Sequence, residues 1–402
     1  MKPARQRINY RSSLVAAGLI ALTVIYAALW VKMISNPAER SGADFIAFYA
    51  AGRISLTGKF PEVYIPQAQQ AVEEGVLGFP ITAEEVNPFV HPPFILPVLA
   101  LIALLSYVWA FHLWAIFLLV LYFVGAIFLI RTVLHARERK MLFASVVLFF
   151  PAFFSILNGQ DSALLLLGAS LWLYGLLSKH DRLAGIGLAL TTIRPHIALL
   201  LAVPFLFKQR KVWWWFLAGA AGLAVFSIML IGIRGTENFL RILSISASGE
   251  GYKINEFAML NFIGLLRRLV PGISSESTRI IGWIVYALAF VFLCLVWTRS
   301  DKIGEKQAGL AVLIALFAAP HLHYHDLVLL LIPIFCVMVL TERRSLLKRE
   351  TAALFPLGAS WLLVVSNFLP MLKFSIPYIF GAMLMAALWI PEFVFRQWKK
   401  PQ

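Results

Sequence analysis

The chain alternates long apolar runs with short polar breaks, and the runs are too long for strands and too continuous for the one-sided helices of a water-soluble fold. Runs near 13–34, 107–131, 141–157, 162–178, 212–233, 279–298, 353–370 and 376–395 predict helices of spanning or nearly spanning length. Three stretches depart from this pattern. Residues 92–105 are short of the roughly 20 residues that a perpendicular helix needs to cross the hydrocarbon. The 183–207 stretch is split by Arg194-Pro195-His196, and the 308–340 stretch by Pro320 through Asp326. Such halves predict broken helices meeting a polar cavity, because backbone freed from a helix inside a membrane needs protein or water partners. With no internal repeat, the expectation is one all-α, polytopic integral membrane domain over residues 1–402. It would hold about 10–13 transmembrane or half-transmembrane helices, with the segment 92–105 re-entering or lying at the interface.

Composition removes the soluble alternative. The 402 residues are 60% hydrophobic and 14% charged, with a mean hydropathy of +0.82, so the bilayer is the main solvent. The net charge of +15 raises the question of nucleic acid. Its distribution answers that question, because the cations collect in short loops. Examples are Lys2, Arg5, Arg7 and Arg11; Arg137, Arg139 and Lys140; Lys208, Arg210 and Lys211; Arg343, Arg344, Lys348 and Arg349. This is the cytoplasmic-anchor pattern of a multi-pass protein of the cytoplasmic membrane, not a phosphate-binding face, and no nucleic-acid partner is expected. With the basic loops inside, residues 35–91, Asn158-Gly159-Gln160, residues 234–278 and His321 to Asp326 share the periplasmic or extracellular side. The two long outer loops exceed ordinary connections and are expected to be structured. Cys294 and Cys336 lie within apolar spans and imply no disulfide. Residues 13–34 read as a retained anchor.

Five polar clusters fall on that outer side. Asp44 opens DFIAFYAAG at the start of a helix, beside a stripe containing Phe45, Phe48 and Tyr49; it is either an N-cap or a base at the membrane surface. His91-Pro92-Pro93 gives a rigid lead-in to the next helix. Asn158-Gly159-Gln160-Asp161 reads as a tight turn with Asp161 capping the adjoining helix, and the Gln160 amide can both donate to and accept from sugar hydroxyls. Arg194 in an apolar stretch requires an acidic neighbour or an anionic ligand, with His196 beside it. PHLHYHDL supplies His321, His323, His325 and Asp326. Alternating histidines suit zinc on a strand rather than a helix, so the reading is a hydrogen-bonding cluster for phosphate or sugar, with Asp326 capping the next helix. Asn261 stands in the second long loop as either an acceptor contact or a turn residue.

Taken in chain order, DFIAFYAAG with Gly58 and Tyr64, then HPPF, NGQ, RPH and PHLHYHDL, resemble glycosyltransferase family 87. These are polyprenol-phosphate-mannose-dependent mannosyltransferases of the GT-C superfamily. The departures are Ala319-Pro320 in place of Ser-Pro, His91 before the proline pair, and Phe262 after Asn261. The resemblance implies a GT-C-type bundle that moves a hexose, mannose in most of the family, from a polyprenyl-phosphate donor to a lipid or glycan acceptor. Transfer would be inverting and would occur at the outer face. Asp44 would be the base. Arg194, with His325 or His196, would stabilise the leaving phosphate, and His321 and Gln160 would complete the donor site. Tyr49, His91, Asn158, Asn261 and Asp326 would shape the acceptor side or pocket. The polyprenyl chain would lie in a groove open to lipid. Neither a nucleotide-sugar fold nor a DxD motif is present, so no metal and no other cofactor is expected. The rival reading is a transporter or flippase for lipid-linked sugars, against which stand the long outer loops and the missing inverted repeat.

Overall fold

The structure, a computed structural model, describes residues 10–35, 44–133, 139–248, 256–343, 354–369 and 372–398. Among these residues the regular structure is helical throughout, without a strand. In chain order the helices are α1 (Tyr10–Ser35), α2 (Phe45–Leu56), α3 (Pro66–Leu77), α4 (Leu96–Ile102), α5 (Tyr107–Thr132), α6 (Arg139–Val147), α7 (Phe150–Leu157), α8 (Ser162–Leu177) and α9 (Asp181–Leu190). They continue with α10 (Pro195–Ala202), α11 (Arg210–Ser248), α12 (Phe262–Leu269), α13 (Ser275–Arg299), α14 (Glu305–Ala318), α15 (Leu331–Arg343), α16 (Phe355–Phe368) and α17 (Ser375–Trp398). Among the described residues five helices are long and apolar enough to cross a membrane, and six if α6 and α7 are one bent span. The protein is therefore a multi-pass membrane protein.

Burial separates the centre of the bundle from its lipid-facing rim. The span Tyr324–Thr341 is 94% buried, whereas those in α1, α11 and α13 are 11%, 17% and 17% buried. A helix that is apolar on every side fits either position, and only packing decides which. Here a short 3-10 helix (Tyr324–Leu330) continued by α15 takes the centre. Helices α8 and α9 approach closely through small residues: a Cβ on Gly187 would fall 2.4 Å from the Trp172 nitrogen.

The broken stretches are the architectural feature that makes the site. Ten-residue α9 and eight-residue α10 reach about 15 and 12 Å, half of a bilayer core, so they form a hairpin whose tip is Thr191 to His196. Pro195 begins α10, where its missing N–H costs nothing. The second break lies between α14 and Tyr324. Helix α4 is likewise too short to span; it packs on α2, with the Tyr49 hydroxyl donating to the Leu105 carbonyl at 3.0 Å.

Two expectations are corrected. The predicted span 141–157 bends by 42° between α6 and α7, because Pro151 cannot supply an N–H to the preceding turn. Carbonyls beside the bend accept from other helices, Leu148 from the Tyr26 hydroxyl (2.8 Å) and Val146, which also takes the Phe149 N–H, from that of Tyr122. The predicted loop 234–278 is largely helical. Helix α11 breaks its φ/ψ pattern at Gly232 and then continues to Ser248, and α12 comes after it. Arg234, Glu237, Asn238 and Arg241 ended the hydropathic run but not the helix. This polar continuation packs on the 60–64 segment, through Asn238 to the Pro61 carbonyl (3.0 Å) and Phe239 against Tyr64.

Candidate functional site

Asp44 immediately precedes α2, yet its side chain makes no capping bond to that helix. The Phe45 N–H turns instead to the Asn158 carbonyl (3.0 Å). The Asp44 carboxylate accepts at Oδ2 from Gln160 Nε2 (2.6 Å) and lies 3.5 Å at Oδ1 from Asn87 Nδ2. The Asn158-Gly159-Gln160 turn thus binds the start of α2 by backbone and by side chain. Gly159 is required there, since φ is +74° and an added Cβ would sit 2.5 Å from that of Phe45. Trp114 Nε1 donates to the Gly159 carbonyl at 2.7 Å and holds the turn from α5.

Behind Gln160 lies a buried charge cluster assembled from four distant segments. Arg194 Nη2 is 3.0 Å from Asp161 Oδ1 and 3.3 Å from Gln160 Oε1, and its Nε is 3.4 Å from Asp326 Oδ1. His91 Nδ1 is 2.8 Å from Asp161 Oδ2 and 3.0 Å from Arg194 Nη1. Ser162 Oγ donates to Asp326 Oδ1 (3.2 Å), and His325 Nε2 is 3.5 Å from Asp326 Oδ2. Asp161 and Asp326 are 0% and 1% exposed. Burial by itself would raise the Asp161 carboxyl, but the Arg194 guanidinium and the His91 ring hold it below the usual carboxylate range.

The late segment closes the site. His321, His323 and His325 are half-buried, their rings adjacent in series, 4.7 and 5.9 Å between centroids. The Asp44 charge is felt at both His323 and His325. Burial, then the neighbouring His325, pushes His323 down to about 4, and burial with His323 beside it holds His321 well below the ordinary imidazole range. Both are therefore neutral N–H donors at pH 7. His196 Nε2 is shielded from water and has no hydrogen-bond partner among the described residues. No three His, Cys, Asp or Glu side chains among the described residues group in a way that could hold a metal ion.

The comparisons with known proteins bear on this geometry. The sequence model of glycosyltransferase family 87 matches residues 89–323, more than half of the chain. The chain belongs to glycosyltransferase family 87. No curated protein and no solved structure matches it. Family membership makes the protein a glycosyltransferase and displaces the transporter reading. The matched stretch holds His91, the NGQD turn, Arg194 and the first two late histidines. Asp44 and Asp326 lie outside it and reach the site through the fold.

In this family 87 glycosyltransferase the expected residues separate by role. Asp44, Gln160, His91, Arg194, Asp326 and His325 form one continuous set of contacts. Of the two partners expected for Arg194, the described residues supply the acidic one: its Nε side faces Asp326 and its Nη2 faces Asp161, so two carboxylates lie along the edges that bidentate phosphate binding would use. Asp161 and Asp326 are corrected from helix caps. Asp161 precedes α8 without a capping bond, and Asp326 lies inside its 3-10 helix with its carboxylate turned to Arg194. Asn261 takes the turn role: it caps α12 through the Gly264 N–H (3.0 Å) and donates to the Ala319 carbonyl (2.7 Å), fully buried. The Asn158 side-chain amide donates to the Phe154 carbonyl of its own helix, and Tyr49 pins α2 to the end of α4. Sequence reasoning passed over Asp161 as a cap. The signal that could have found it was the unpaired charge of Arg194, which required a buried acid.

Proposed function

We propose that this glycosyltransferase carries out an inverting transfer of a hexose, mannose first among candidates, from a polyprenyl-phosphate donor to a lipid or glycan acceptor at the outer face of the cytoplasmic membrane. The observation that carries the reading is Asp44. It is a carboxylate that does not cap its own helix, is held at one oxygen by Gln160, and whose charge is felt at the half-buried His323 and His325. In the proposed step the acceptor hydroxyl gives its proton to Asp44 while its oxygen attacks the anomeric carbon from the face opposite the phosphate. The bond from that carbon to the phosphate oxygen breaks, and its electron pair leaves with the polyprenyl phosphate. A phosphate leaves without an acid, so the reaction needs donors around the departing oxygens, which the imidazoles of His321, His323 and His325 can supply. Arg194 acts one step back, through the cluster it holds together. No metal is required on this reading.

Two further features support the substrate class and the side. A groove of about 340 Å³ is walled by Tyr26 and Trp30 of α1, His112 and Tyr122 of α5, and Phe153 and Ile156 of α7. It is apolar, and its wall residue Trp30 packs on Phe111, which packs on Phe45 beside Asp44, with ring centroids 5.5 and 5.4 Å apart in turn. An isoprenoid chain fits such a lining. Helices α9 and α14 lead to the site at their C-terminal ends and carry cations at their starts, each over a tryptophan of a neighbouring helix: Arg182 over Trp215 of α11 (4.9 Å) and Lys306 over Trp389 of α17 (3.8 Å), an interfacial pattern that favours the cytoplasmic side there.

The test uses purified protein in lipid nanodiscs with radiolabelled polyprenyl-phosphate mannose, other polyprenyl-phosphate sugars, nucleotide sugars, and panels of lipid and glycan acceptors. Expected is inverted product from a polyprenyl-phosphate sugar alone, falling at least about a hundredfold in Asp44→Asn with donor binding retained. Direct use of nucleotide sugars, or near wild-type turnover in Asp44→Asn, would overturn the reading.

A further inference from the structure

Gln160 joins the reacting end of the site to the buried cluster, and its amide is oriented by charge on both sides. Nε2 donates to Asp44 Oδ2 at 2.6 Å, and Oε1 accepts from Arg194 Nη2 at 3.3 Å. The opposite flip would set an amide oxygen against a carboxylate and an NH2 against a guanidinium, so both neighbours select one orientation. Arg194 is itself fixed by Asp161 and Asp326. Asp44 has no comparable hold of its own. Its helix gives the side chain no capping bond, and Asn87 Nδ2 is 3.5 Å from Oδ1, the outer limit of a hydrogen bond. The two carboxylate oxygens are therefore unequal, Oδ2 held by the 2.6 Å bond from Gln160 and Oδ1 only by the 3.5 Å contact from Asn87.

We propose that Gln160 is a positioning residue that selects the reacting oxygen of Asp44: by holding Oδ2 in the flip imposed by Arg194, it leaves Oδ1 to take the acceptor proton. The Asp161–Arg194–Asp326 cluster then reaches the reaction through one amide rather than by touching substrate. This rests on Asp44 being the base. Losing the Oδ2 bond frees the carboxylate to rotate, and a misplacement on the order of 1 Å costs up to about a hundredfold in rate. The atoms that bind donor and acceptor stay where they are, so the loss belongs in kcat.

The experiment compares wild type, Gln160→Met, Gln160→Glu and Asp44→Asn in nanodiscs, with polyprenyl-phosphate mannose as donor and a membrane lipid extract as acceptor. Gln160→Met keeps the length of the side chain and removes both hydrogen bonds. It should lower kcat by about 10- to 100-fold with both KM values within about twofold. Gln160→Glu keeps the shape and sets a second carboxylate against Asp44, so the acid limb of the kcat profile should move up by about one pH unit or more. The other charged or titratable groups facing this pair, His323, His325 and Arg194, are the same in every variant. Its unchanged shape makes Gln160→Glu the informative variant if Gln160→Met fails to fold. Gln160→Met turnover within about threefold of wild type, or an unmoved acid limb in Gln160→Glu, would overturn the proposal while Asp44→Asn remained inactive. An active Asp44→Asn, or a wild type without turnover, would instead remove the base reading beneath it.

Discussion

Arg194 is the cation against which two buried carboxylates are set, and its removal is the most direct test of the cluster. Arg194→Met keeps most of the volume and deletes the charge together with every N–H that faces Asp161, Asp326 and Gln160. Asp161 and Asp326, 0% and 1% exposed, would keep only His91, Ser162 and His325 as polar neighbours. Stranding one member of a buried ion pair costs about 3–5 kcal/mol. A second estimate agrees: a stripped carboxyl that must stay protonated at pH 7 needs its titration moved by about 3 units, or about 4 kcal/mol. At about 2 °C per kcal/mol the apparent unfolding midpoint should fall by about 6–10 °C. Arg194→Lys keeps the charge without the planar fork and should fall by about half as much. Adding Asp161→Asn to Arg194→Met should recover part of the loss, because neighbours in one network do not add. Thermal unfolding in nanodiscs, followed by tryptophan fluorescence, reads all four. The pH dependence gives a sign as well. In Arg194→Met the folded state holds protons that the unfolded chain releases above about pH 4, so this variant should gain stability as pH is lowered from 7.5. If Arg194 were instead an open phosphate ligand, Arg194→Met would leave the midpoint within about 1 °C and change only donor affinity. That result would refute the cluster.

The same geometry sets three further outcomes. In wild type, His323 titrates at about 4 folded and near 6.5 unfolded; the unfolded chain therefore takes up the proton first, and stability should decline as pH falls from about 6.5 toward 4, on the order of 1 kcal/mol per unit for this group. His323→Gln, measured by the same unfolding assay, should flatten that decline. Cysteines placed at Ser41 and Ser248 should react with a membrane-impermeant thiol reagent in intact cells and one at Ser345 should not; labelling at 345 without lysis would invert the proposed orientation. Transfer should continue in excess EDTA, and activity lost to the chelator and restored by a divalent cation would require a metal in the site.

The sequence by itself determined the solvent of this protein, the approximate position of most helices and the three breaks between them. Those properties are local. Apolar run length against bilayer thickness, proline against helix, and cations at loop ends can all be read without knowing which helix touches which. It also singled out Asp44 and Arg194 by their charge at a helix start and inside an apolar run, and Gln160 by an amide that can both donate and accept. Partnership was decided only by the tertiary structure. Asp161 and Asp326 each stand at the start of a helix, where a capping carboxylate is the locally favoured reading. Only when the α9–α10 hairpin tip meets the start of α8 and the late segment does either find Arg194 within 3.4 Å. The same holds for Asn261, whose amide is committed to a carbonyl 58 residues away, and for the continuation of α11, whose polar residues pack on a segment near position 61. A chain of this composition states what must be buried; which acid meets which cation depends on contacts between residues 33 and 132 positions apart, and no local pattern carries that information.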